Sequence, residues 1–181
     1  MKDFLRTYKD IVIINLVFLI VAILLYFLFG KTIGILGAVV AVGISFSIGF
    51  VQYRIQNDVI FKELFIFFTS KYDKEYNGIL NGIVQKTQEK GNYSLTDLEK
   101  NTVADFINFC AEEYLWYSKN RIPYNVWYAW QEGMLYFFKC NPIKQQLLSE
   151  YSQSSSYYGF INYLKEKVNI LNWIRELDKM E

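Results

Sequence analysis

Two apolar stretches dominate the start of the chain. Ile11 to Phe29, IVIINLVFLIVAILLYFLF, carries no charge and one strongly polar side chain, Asn15. Thr32 to Val51, TIGILGAVVAVGISFSIGFV, is again uncharged. Each has about the 20 residues that a helix needs to cross roughly 30 Å of hydrocarbon. A cleaved signal peptide has a shorter apolar run and is not followed at once by a second span. Joined only through Gly30, Lys31 and Thr32, the two stretches predict a transmembrane hairpin over 11–51, with helices at 11–29 and 32–51.

The two spans differ in kind. The first is rich in Leu, Ile and Phe, as suits a lipid-facing helix. The second carries Gly34, Ala38, Ala41, Ser45 and Gly49 at positions i, i+4, i+7, i+11 and i+15. That spacing lays small residues along one helix face, where two backbones can approach closely. Such a face can pack against the first span, against a second copy of the chain, or against both. Asn15 can hydrogen-bond across helices in either case.

Beyond Val51 the periodicity is helical throughout, and no alternating strand pattern appears. Tyr53–Tyr72 continues the second span. Helices are expected at about 74–90, from the Ser94 cap to about Ser118, from about Asn125 to Cys140, from Asn141–Pro142 to about Tyr151, and over 157–177. Ser94 and Asp97 read as a capping box, Asn125 as an N-cap, and Asn141 as a cap before proline at the first helical position. The expected fold is all-α: a cytoplasmic N-terminus over 1–10, the hairpin, and an aromatic-rich helical domain over 52–181.

Charge then sets orientation. Lys2, Arg6 and Lys9 precede the first span and Arg54 and Lys62 follow the second, whereas the turn carries only Lys31. Basic residues in short flanks stay on the cytoplasmic side, so both termini are expected there. The chain has 19 Lys and Arg against 18 Asp and Glu, a net charge of +1. That balance argues against binding nucleic acid through a basic face. There is no histidine, which removes the usual proton shuttle and the commonest transition-metal ligand. Cys110 and Cys140 form no CxxC pair and read as reduced, small hydrophobes.

No phosphate-binding loop, dinucleotide fingerprint, nucleophile elbow or HExxH sequence occurs. No cofactor and no catalytic residue is therefore expected. The helix opened by Ser94 is the most informative. Val103, Phe106, Ile107, Cys110, Tyr114 and Tyr117 form one apolar stripe, and Phe109, Glu113 and Trp116 form a second flank. Glu112 lies opposite the stripe and is expected in solvent. Glu113 sits among rings, where an unpaired acid is costly. Its candidate partners are Arg121, Lys119, a tryptophan N–H or a tyrosine hydroxyl. Trp127 and Trp130 on the next helix are expected to join Trp116 in one cluster. Glu113, Trp116, Arg121, Trp127 and Trp130 are thus the candidate partner surface or pocket, and an enzymatic site would have to lie near Glu113, Tyr117 and Arg121.

The run NFCAEEYLWYSKNRIPYNVWYAWQEGM (Asn108–Met134), with FTSKYD…NGILNGI (68–83) upstream and SYYGF (156–160) downstream, resembles a loose group of small, uncharacterised bacterial membrane proteins. Some of these stand beside phage-defence genes. The paired spans and helical domain are also similar in architecture to the two-helix membrane effectors of some retrons. The resemblance implies an effector that self-associates in the lipid bilayer and disrupts it once released by a cytoplasmic protein or ribonucleoprotein regulator. A membrane-tethered binding or scaffold module is the alternative.

Overall fold

The computed structural model describes residues 2–28, 33–150 and 156–167, and all regular structure among them is helical. In chain order the elements are α1 (Lys2–Leu28), α2 (Ile33–Lys71), a π-helical turn (Tyr72–Tyr76), α3 (Asn77–Lys90), α4 (Asp97–Ser118), α5 (Tyr124–Phe138), α6 (Asn141–Glu150) and α7 (Phe160–Lys167). The expected Gly30–Thr32 turn, the polar loop after Tyr151 and the helix beyond Lys167 lie outside the described residues. The chain divides into two compact units, Met1–Ile60 and Phe61–Glu181.

In the first unit α1 and α2 run antiparallel. Asn15 Nδ2 donates to Ser47 Oγ at 2.8 Å, and Phe18 and Phe46 bring their rings to 6.0 Å. A Cβ on Gly43 would lie 3.1 Å from Phe18, so a glycine is what lets the helices approach there. Arg54 and Asp10 pair at 3.7 Å, both well exposed, and such a pair contributes little. Ala22 is buried as well, but most of the other apolar side chains are exposed; Leu16, Leu24 and Phe46 are each more than half so. Two helical stretches, one over Lys9–Leu28 and one starting at Leu36, are long and apolar enough to cross a membrane. Very little of either is buried, unlike a core helix of a globular domain.

The second unit is built around α4, which packs against α3, α5, α6 and α7. Val103, Ile107 and Cys110 are wholly enclosed and Phe106 nearly so. The second flank is buried too, at Phe109 and Glu113, so a helix apolar on two sides is central, as its pattern implies. Tyr114 and Tyr117 close the stripe half-buried, and Glu112 is partly covered rather than fully solvated. Cys110 is buried, Cys140 is half-buried and both are free thiols.

The helix ends depart from expectation in instructive ways. The capping box of α4 is Thr96 with Glu99, not Ser94 with Asp97. Glu99 has the longer side chain, and it reaches back to accept from Thr96 N at 2.9 Å. It also accepts from Lys86 Nζ at 2.8 Å and from the Tyr93 hydroxyl. Burial alone would raise its pKa, but these bonds prevail and hold the carboxyl at about 2. At the other end, Asn120 has φ 56°, its N–H reaches Tyr117 O and that of Arg121 reaches Trp116 O. This left-handed cap satisfies the last carbonyls, and the chain leaves through Ile122 and Pro123. Asn125 does not cap α5. The helix starts at Tyr124, and the Pro123 carbonyl accepts from Val126 and Trp127. Helix α6 starts at Asn141 itself, with Cys140 O accepting from Lys144 N.

The helix expected from about 74 begins instead at Asn77, because the π turn lies between. At about 100° per residue, twelve α-helical residues would leave Leu80 about 120° around from Phe68. The wider turn winds more slowly and takes up part of that angle. Phe68, Tyr76 and Leu80 therefore all reach one core.

Candidate functional site

On α2 of the first unit, Gly34, Ala38, Ala41, Ser45 and Gly49 are all exposed. They lie away from the Gly43–Ser47 face that meets α1. Of the two ways the small-residue stripe could pack, the intramolecular one is thus not used. Ser45 Oγ donates to Ala41 O at 2.9 Å, which satisfies its hydroxyl without a partner helix.

In the second unit the candidate aromatics fall into two groups. Trp127 is fully buried. It stacks on Tyr117 at 4.8 Å, meets Tyr163 at 5.8 Å, and donates from Nε1 to the Tyr163 hydroxyl at 3.1 Å. Trp130 faces the other way, stacked on Phe65 at 5.9 Å and edge-on to Phe68 at 5.8 Å. Trp116 takes a cation, with Lys119 Nζ 5.4 Å from its ring. The single tryptophan cluster expected from the sequence does not form. Along a helix, residues three apart point about 60° from each other, enough to send Trp127 and Trp130 to different neighbours.

Between α2, α4 and α5 lies a cavity of about 210 Å³ walled by Phe68, Phe106, Phe109, Trp130 and Met134. Glu113 lines it as well, and no basic side chain does. Ala129 and Gly133 of α5 complete one wall. Of the five candidate residues, the cavity unites Glu113 and Trp130 and leaves out Trp116, Arg121 and Trp127. Phe68 and its neighbours on α2 are the part that α4 alone could not reveal.

Glu113 is 5 % exposed, and among the described residues nothing hydrogen-bonds or ion-pairs with its carboxyl. Burial, reinforced by the neighbouring charge of Glu112, pushes its pKa well above the ordinary value. The cavity thus holds an acid whose ionisation is opposed, walled largely by aromatic faces with the side chains of Thr69 and Tyr72 also lining it.

Taken together, the described chain is an all-helical protein with two helices able to span a membrane and a helical unit enclosing an aromatic, acid-bearing cavity. No protein-family model, curated protein or solved structure matches the chain.

Proposed function

We propose that the chain is a membrane effector of a bacterial anti-phage defence system, similar in plan to retron effectors. Its hairpin sits in the inner membrane with both termini cytoplasmic, and residues 52–181 form a cytoplasmic domain under the control of a protein or ribonucleoprotein regulator. When released or triggered, the spans self-associate and disrupt the bilayer. The observation that carries this reading is the exposed stripe of Gly34, Ala38, Ala41, Ser45 and Gly49. In lipid there is no hydrophobic drive between helices, so close packing of small residues is what favours association.

The test is expression of the full chain with a membrane-potential dye and growth as readouts. Ala38→Leu and Ser45→Leu, which fill the stripe without touching the α1 contact, are expected to restore potential and growth. An intact potential in cells expressing the unaltered chain at a detectable level would refute the reading.

The cavity around Glu113 favours a second reading, a membrane-tethered binding module in which the hairpin is only an anchor. Replacing the hairpin with an unrelated two-span anchor separates the two: function survives in a tethered module and is lost in a membrane-disrupting effector.

A further inference from the structure

We infer that the cavity between α2, α4 and α5 is a binding site for a small arylalkyl ammonium compound, whose charged end pairs with Glu113 and whose ring is enclosed by Phe68, Phe109 and Trp130. The inference is independent of the effector reading, since it concerns only the second compact unit.

Three observations converge on a cation. First, Glu113 is almost wholly buried and has no hydrogen-bond partner among the described residues, and its carboxyl is left to reach the open space of the cavity. An unpaired buried acid is costly, and a ligand that brings the missing partner removes that cost. Second, the walls are aromatic faces, which carry negative quadrupole density and attract cations. The chain already uses this: Lys71 Nζ lies 5.7 Å from the Phe109 ring centroid. Third, no basic side chain lines the cavity, and the adjacent Glu112 adds negative field. An anion would meet repulsion there, and a neutral alcohol could offer the acid a hydrogen bond but no charge.

Size narrows the class. A cavity of about 150 Å³ accommodates one benzene. The 210 Å³ found here therefore has room for a ring with a short ammonium arm, on the scale of 2-phenylethylamine. In the bound state the ammonium and the Glu113 carboxylate form an ion pair.

The experiment is isothermal titration of the full-length protein in lipid nanodiscs with 2-phenylethylamine and, separately, with 2-phenylethanol. The amine is expected to bind with Kd below about 1 mM, within reach of a ligand of this size, and at least tenfold more tightly than the alcohol. Glu113→Gln should abolish that preference. Gly133→Leu supplies an independent arm: a Cβ there meets nothing within 4 Å, and leucine favours the helix. The new side chain fills the cavity, so the amine should no longer bind. Equal affinities for amine and alcohol, unaltered binding in either variant, or no amine binding up to about 10 mM would each overturn the assignment.

Discussion

Glu113→Met should make the protein more stable at neutral pH. The substitution keeps the side chain's length and removes an enclosed carboxyl that has no hydrogen-bond partner among the described residues. A buried polar group without a hydrogen-bond partner costs about 1–3 kcal/mol. About 2 kcal/mol is therefore expected, equivalent to roughly 8 °C in Tm for a unit of this size.

The pH dependence has a definite sign. The Glu113 pKa in the folded protein lies well above the ordinary value of 4.5. Above pH 4.5 the unfolded chain is ionised at this position and the folded chain resists ionisation, so the group opposes folding. That penalty shrinks as pH falls towards 4.5, and the wild type should approach the variant between pH 7 and pH 5. The opposing group, Glu99, begins to lose its contribution only below about 4.5, so it does not disturb this window. Thermal unfolding in nanodiscs, followed by near-ultraviolet circular dichroism of the aromatic core, reads the difference. A variant less stable than wild type at pH 7, or a gap that ignores pH, would mean that the carboxylate is ionised and paired.

Glu99 should behave in the opposite way. Its folded pKa is lowered to about 2, so its stabilisation is full above about 4.5 and fades as pH falls towards 2; Glu99→Gln should cost about 2 kcal/mol at pH 7, seen as faster amide exchange in the first turn of α4, and nothing near pH 2. Trp127→Ala removes a fully buried ring and the Tyr163 bond. It should destabilise the protein by about 3–5 kcal/mol, with a large loss of near-ultraviolet signal.

Much of the helical layout can be read directly from apolar spacing. The two-sided pattern of α4 identified it as central before any neighbour was known, and it singled out Glu113 as the acid in need of an explanation. Other features were legible but overlooked. Thr96-Asp97-Leu98-Glu99 matches the threonine-to-glutamate spacing of a capping box better than Ser94 with Asp97, because only a glutamate side chain is long enough to return to the cap. The division of the tryptophans was not legible in the same way. It depends on where Phe65, Phe68 and Tyr163 arrive from distant helices. The cavity is likewise a property of three helices at once, and the face that α2 offers to α1 is chosen by Gly43 and Ser47, not by the more regular stripe beside them.

The π turn at Tyr72–Tyr76 makes the second unit tolerant of chain length in an unusual place. Asp73, Lys74 and Glu75 are exposed, and exchanging any one of them for another polar residue should pass almost unnoticed. Deleting one of them should be borne as well. The wide turn would close into an ordinary one, and eleven α-helical steps of about 100° would bring Leu80 to about 20° from Phe68. Tyr76, Leu80 and Ile83 would keep facing the core. Within this charged segment the helix holds a spare residue that it can lose without turning its far side away.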